Sequence, residues 1–271
     1  MPRKFIIDPV VHQEDNNDKI QKFYTIIEIY EIKENSDWID KGTYYLNINE
    51  QRTPGWFRAR LFRVTTSEFG TPLQLNDYCS DDDYAYYITN MKKKVFLRSE
   101  MDRMNNGTIR EPIARSLFCI LKSTKEKIYR VDEIGLAVPK TNLRVGGSTD
   151  GVVYINGVKT KSNIEIKCPE KMYKELIDNL ILINLNLKTS IYYENVNCDQ
   201  FIKPMHYCQM QGCMYILNAT RCYYIVYEKQ RNLLCVCVVK RNDVYITSMM
   251  SGIDRFIDTK VIPLIKSNWL L

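Results

Sequence analysis

Apolar residues recur at helical spacing between Gly107 and about Lys122, where Ile109, Ile113, Leu117 and Ile120 form one stripe and Ala114 and Phe118 widen it. This pattern predicts an amphipathic helix with Glu111 in its first turn, where an acid is favoured by the helix dipole. The texture then changes to short β-rich runs separated by turn residues, Lys127–Val131, Leu136–Pro139, Leu143–Gly146, Val152–Ile155 and Asn163–Cys168, which predict an antiparallel meander. Upstream, Trp56–Arg63 reads as a short helix entered through Pro54-Gly55, and Thr65-Thr66-Ser67-Glu68 as an N-cap opening another helix. Downstream, helical periodicity returns over 170–187 and 188–203 is a polar connection. Pro204–Asn218 is a helix with proline at its start, followed by strands Tyr223–Tyr227 and Leu233–Val239 joined by the polar turn Glu228–Asn232. A last helix runs from about Asp243 to Lys266, with an interruption expected at Gly252 or Pro263. Residues 1–19 form a polar lead, and the apolar stretch to Ile32 suits a helix or a buried strand equally.

No repeat or low-complexity linker divides the chain, so one α/β domain over 51–271, preceded by an N-terminal lead and extension over 1–50, is the simplest organisation. With 45% apolar and 26% charged residues in 271, there is enough to bury a full core. Apolar runs are broken by charge well short of the roughly 20 residues that span a bilayer, and residues 1–20 lack the apolar core of a signal peptide. Nine scattered cysteines, several inside apolar runs, suit buried thiols in a reducing intracellular compartment. With no C-x-x-C and only His12 and His206, ligands for a structural zinc site are missing.

The net charge of +6 permits a polyanionic partner. Its distribution is more telling: Arg52, Arg58, Arg60 and Arg63 crowd one segment beside Trp56, a candidate phosphate contact, whereas Lys92–Lys94 suit a solvated face.

Candidate chemistry centres on Gly147-Ser148-Thr149-Asp150-Gly151 and Ile164-Glu165-Ile166-Lys167-Cys168-Pro169. Asn156-Gly157 between them favours a hairpin, with the polar stretch through Asn163 implying a loop longer than two residues and Lys159 and Lys161 near its tip. Those lysines would meet a polyanionic partner or blunt a strand edge. Closing the hairpin brings Asp150 beside Glu165 and Lys167, which share one face of their strand while Ile164 and Ile166 point to the core. Two carboxylates converging beside a lysine are costly to desolvate unless a cation lies between them, and a hard divalent ion such as Mg²⁺ suits oxygen ligands from Asp150, Glu165 and the Ile166 carbonyl.

In four ordered blocks the sequence resembles the phage lambda exonuclease, YqaJ-like and viral alkaline exonuclease group of the PD-(D/E)xK superfamily. The blocks are Trp56 through Gly70, Gly107 through Phe118, Ser148-Thr149-Asp150-Gly151 with Ile164 through Pro169, and His206 through Gly212. The resemblance implies a restriction-endonuclease-like core, a mixed central β-sheet flanked by helices. It also implies a metal-dependent deoxyribonuclease, foremost a 5′-to-3′ exonuclease on double-stranded DNA in viral or phage recombination or replication. An endonuclease, a mixed exo/endonuclease and a silent nucleic-acid-binding module are the alternatives.

Residue by residue, it implies that Asp150 and Glu165 bind Mg²⁺ (or Mn²⁺), one or two ions, that Lys167 serves the attacking water, and that Glu111 lies near the same centre. Arg60 and Ser67 would hold a terminal 5′-phosphate or the scissile-side backbone, with Trp56 and Arg63 beside them. Gln209 would meet the water or the scissile phosphate, Gln211 would help position it, and His206 would contact backbone or phosphate. Implied partners are double-stranded DNA, a single-strand annealing protein and copies of the chain itself in a trimer, in host nucleus or cytoplasm if viral. Thr149 stands where the group usually has proline, which changes only the approach to Asp150.

Overall fold

The computed structural model describes residues 32–75, 78–173, 181–182, 191–195 and 202–269. The expectation for 1–31 and most of that for 170–187 lie outside them. A seven-stranded mixed sheet forms the centre, in the order β4 (Tyr129–Asp132), β7 (Gly151–Ile155), β8 (Val158–Lys167), β11 (Arg221–Glu228), β12 (Leu233–Lys240), β10 (Ile191–Asn195) and β9 (Ile181–Leu182). β8 runs parallel to β11 and β12 parallel to β10, while the other pairs are antiparallel. Helix α3 (Arg98–Lys122) covers one face and α4 (Pro204–Leu217) the other. They follow α1 (Pro54–Ala59) and α2 (Asp81–Ile88) in the chain.

Period-2 alternation decides which side chains meet which helix. Ile164 and Ile166 of β8 and Tyr223, Ile225 and Tyr227 of β11 pack with Ala114 and Phe118 of α3. Cys222, Tyr224 and Val226 of β11 pack with Met210 and Met214 of α4. Phe118 is fully enclosed, and truncating it to alanine would cost roughly 3–5 kcal/mol.

Several expectations are corrected. The β-rich runs do not form one meander. β5 (Ala137–Pro139) pairs with β2 (Tyr44–Asn47), itself paired with β1 (Trp38–Asp40), in a separate three-stranded sheet. β6 (Val145–Gly146) pairs in parallel with β3 (Val64–Thr65). Two strands lie where none was expected: β10 within the polar connection and β9 at the end of the 170–187 span.

Helix α3 starts at Arg98, nine residues early, with the Leu97 N–H donating to Glu100 Oε2 at 2.7 Å. Glu111 is therefore mid-helix, directly before the internal Pro112. Residues 66–68 make only one 3₁₀ turn. The C-terminal helices α5 (Asp243–Phe256) and α6 (Ile262–Trp269) join through a π-helical stretch, Ile257–Val261, so the irregularity precedes Pro263 and spares Gly252.

The β7–β8 turn is tighter than expected. Asn156 (φ 51°) and Gly157 (φ 80°) are both left-handed and form the whole two-residue turn. Extra chain is absorbed within β8: Tyr154 faces Lys159 but Val152 faces Asn163, so one residue of β7 opposes three of β8 in a bulge. The Thr160 hydroxyl donates to the Val153 carbonyl at 2.8 Å across that bulge.

Candidate active site

Asp150 lies immediately before β7, where Gly151 pairs with Ile164. Its Oδ2 accepts the Ile166 N–H at 2.6 Å, which fixes the carboxylate against the second strand. Around it the approach is tied down. The Thr149 hydroxyl donates to the Ile164 carbonyl at 2.5 Å and accepts from the Asn163 amide at 3.1 Å, and Gln51 Nε2 donates to the Thr149 carbonyl at 3.0 Å. Gly147 is needed for close approach, because a Cβ there would stand 2.7 Å from Thr66 Cγ2.

Glu165 and Lys167 share the α4 face of β8, as their spacing predicts, and Lys167 Nζ meets Glu165 Oε1 at 2.7 Å. Lys167 also donates to Gln209 Oε1 on α4 at 3.1 Å. Glu165 is 1% exposed, whereas the Lys167 side chain keeps 25% of its surface open. Burial, then the negative fields of Glu165 and Glu111, pushes the Asp150 carboxyl well above the usual range. Burial likewise raises Glu165, against Lys167. Burial alone would pull the Lys167 ammonium down, but Glu165 and Asp150 together outweigh it and hold it above the usual lysine range. Such opposed, mutually dependent shifts in one cleft mark a site organised around charge.

Glu111 projects from mid-α3, its field felt by both carboxylates, and is held by Arg52 Nη2 at 2.9 and 3.0 Å. Arg52 has a left-handed backbone (φ 69°) and was one of a crowd of arginines in the sequence; its link to Glu111, 59 residues on, has no local signal.

The residues fit a hard cation by their donor chemistry. Glu165 Oε2 is buried with no hydrogen-bond partner, and Asp150 supplies a second carboxylate. Among the described residues no three His, Cys, Asp or Glu side chains converge closely enough to enclose an ion by themselves, so backbone carbonyl and water would complete the shell.

Next to this centre Arg60 stacks on the Trp56 ring, 4.2 Å from its centroid, and Nη2 donates to Thr65 Oγ1 at 2.9 Å and Ser67 Oγ at 3.3 Å. Trp56 Nε1 donates to Ser148 Oγ at 2.8 Å, tying this group to the segment that leads through Asp150 into β7. Thr65 is the addition here, legible in the Thr-Thr-Ser-Glu block once Arg60 was singled out. Ser67 is exposed, while Trp56, at 7% exposure, serves mainly as the platform under Arg60.

Three expectations change. Arg63 is 1% exposed and donates to the carbonyls of Ala59 (2.8 Å) and Leu61 (3.4 Å), so it braces the end of α1 and offers no phosphate contact. Gln211 is fully buried, donating to the Lys240 carbonyl at 2.8 Å and accepting the Asn242 N–H at 2.9 Å, which ties α4 to the β12–α5 corner. His206 sits 2.8 Å from the Tyr224 hydroxyl through Nδ1, and burial with the fields of Lys167 and Lys203 lowers its pKa to about 3, so it is a neutral interior group.

Among the described residues no helix is long and apolar enough to cross a membrane, and the eight cysteines there are free thiols. A search of curated proteins finds no match. Among solved structures the chain is similar to the alkaline exonuclease LHK-Exo from Laribacter hongkongensis. The match has a TM-score of 0.56 and 24% identity, covering 79% of this chain and 97% of that one. It is similar to the same enzyme in complex with dAMP at a TM-score of 0.57. A phage-related exonuclease from Haemophilus somnus 129PT matches at 0.47 and 11% identity, covering 78% and 98%. Residues 55–220, which carry every side chain of the site except Gln51 and Arg52, match the YqaJ-like viral recombinase domain, and the chain belongs to that family.

Proposed function

We propose that this protein is a metal-dependent deoxyribonuclease, a 5′-to-3′ exonuclease on double-stranded DNA acting in phage or viral recombination. The observation that carries the reading is the Glu165–Lys167–Gln209 cluster beside Asp150, with one buried carboxylate oxygen left unpartnered. Family membership and a fold shared with an alkaline exonuclease support it. Asp150, Glu165 and the Ile166 carbonyl would hold Mg²⁺ or Mn²⁺, which supplies positive charge against the scissile phosphate and eases ionisation of the attacking water.

The chain's own groups do the positioning. Lys167, kept protonated by its carboxylate neighbours, presents an ammonium to the water or the phosphate oxygen, and Gln209 fixes its direction. Its raised pKa argues for orientation and charge stabilisation over proton abstraction while the site is in this state. The Ile166 N–H holds Asp150 in place, so its carboxylate needs little reorganisation. Arg60, backed by Trp56 and flanked by Ser67, offers a guanidinium and a hydroxyl to a terminal 5′-phosphate, and this supports the polarity. A homotrimer and a single-strand annealing protein are the partners the reading carries with it.

The test is digestion of matched linear and covalently closed circular duplex with Mg²⁺ or with EDTA. Mg²⁺-dependent loss of the linear form alone is expected. Cutting of the circle would make the enzyme an endonuclease, and no cutting of either would make it a binding module.

A further inference from the structure

Away from the carboxylates, a cleft of about 330 Å³ opens between the β8 bulge, the C-terminal end of α4 and the edge of β2. Lys41, Lys159 and Lys161 line it and no carboxylate does. Neither Lys41 nor Lys161 has an ion-pair partner among the described residues, and Lys159 donates only to the Tyr44 hydroxyl, at 3.0 Å. The nearby acid Asp40 is already taken by Lys140 at 2.6 Å. Asn163 also lines the cleft. It is 0% exposed, its amide nitrogen serves Thr149 and Cys222, and its Oδ1 is buried with no hydrogen-bond partner. The three lysines, answered by no acid in the lining, make the cleft a site for an anion.

We propose that this cleft binds single-stranded DNA outside the cleavage site, with backbone phosphates on the three lysines. At about 330 Å³ the cleft is of the size that takes a small ligand such as one nucleotide with its phosphate, which favours a single strand over a duplex. The inference rests on the nuclease reading and deepens it. Gln209 and Asn218 lie nine residues apart along α4 and its cap, about 14 Å at the rise of an α-helix. The cleft would hold a strand that has left, or not yet reached, the carboxylates.

The experiment is fluorescence anisotropy in EDTA, so that no cleavage intervenes, with a labelled single strand of about 12 nucleotides and a blunt duplex of the same length. The wild-type chain is compared with Lys41→Gln/Lys159→Gln/Lys161→Gln and with a charge-matched control, Lys125→Gln/Lys127→Gln/Lys229→Gln, all lysines being exposed. The cleft variant should bind the single strand at least about tenfold more weakly and flatten the slope of log K against log salt by about 2, from three lost contacts at about 0.7 each. The control and the duplex should change less than about threefold. Equal losses in cleft and control variants, equal losses on single strand and duplex, or no loss at all would overturn the proposal. So would inorganic phosphate at low millimolar concentration displacing the strand through the same lysines, which would make the cleft a free-phosphate site. If the wild-type chain binds neither DNA nor cuts linear duplex with Mg²⁺, the nuclease reading fails. If it does both and the cleft variant matches it, only this inference fails.

Discussion

Arg52 and Glu111, 59 residues apart in sequence, form an ion pair at 2.9 Å at the edge of the carboxylate centre. The Arg52 side chain is 42% exposed and that of Glu111 17%, so the pair is worth no more than about 1 kcal/mol. It nevertheless neutralises the one acid whose field reaches both Asp150 and Glu165. Arg52→Ala should therefore tighten Mg²⁺ binding, by up to about fivefold. Isothermal titration of Mg²⁺ checks this, and the gain should vanish in Arg52→Ala/Glu111→Ala. Unchanged or weaker binding in the single variant would show that Glu111 does not act on the ion.

Glu165→Gln and Lys167→Ala should each reduce cleavage by about a hundred- to a thousandfold, the scale lost when a preorganised charge-stabilising group is removed. Melting temperatures should move by less than about 5 °C, because the apolar packing lies on the opposite face of β8. Wild-type rates in either variant would dismantle the site assignment.

Arg60→Ala removes a guanidinium held by Thr65 and Ser67 over the Trp56 ring. Degradation of 5′-phosphorylated ends should fall by about tenfold or more, the loss of one charge-assisted hydrogen bond, while 5′-hydroxyl ends should be affected less. Equal losses would reassign Arg60 to general backbone binding.

His206 gives a pH prediction whose sign is definite. Its folded pKa of about 3 lies below the unfolded value of 6.5, so the unfolded chain takes the proton first as pH falls. Its contribution to stability is complete above pH 6.5 and declines as pH drops toward about 3. In urea unfolding, wild-type should lose up to about 2 kcal/mol more than His206→Asn between pH 7 and pH 5. Parallel pH dependences would mean that His206 protonates freely in the native state.

Much of the site was legible because its signals are local. Glu165 and Lys167 are two apart on a strand whose alternate residues are isoleucines, so parity alone puts them on one face and Ile164 and Ile166 on the other. Helix α4 has proline at its start and Asn218 in the left-handed region at its end (φ 51°), both readable from residue type. The pairing of β5 with β2 and of β6 with β3 was not readable, because partners more than 80 residues away leave no trace in a run of two or three residues. β10 escaped for the same reason, since its pairing with β12 is long-range and parallel. Glu111 was misplaced because Gly107 and Pro112 look like punctuation. Glu100, by capping the Leu97 N–H, starts the helix a full two turns earlier and carries it through both. Arg63 is singled out by its arginine-rich segment and Gln211 by the resemblance, but their burial depends on the corner packing of α1 and α4, which only the assembled fold reveals.

The bulge in β8 adds two residues relative to β7. An even insertion leaves every later side chain on the face it would have had, whereas an odd one would turn Glu165 toward Phe118 and Ile164 toward Gln209. Length variation between Gly157 and Ile164 should then be quantised among functional relatives. Lineages can lengthen or shorten this hairpin in steps of two and keep the acid and lysine in register, so the segment is free to diversify what it touches while the chemistry behind it stays fixed.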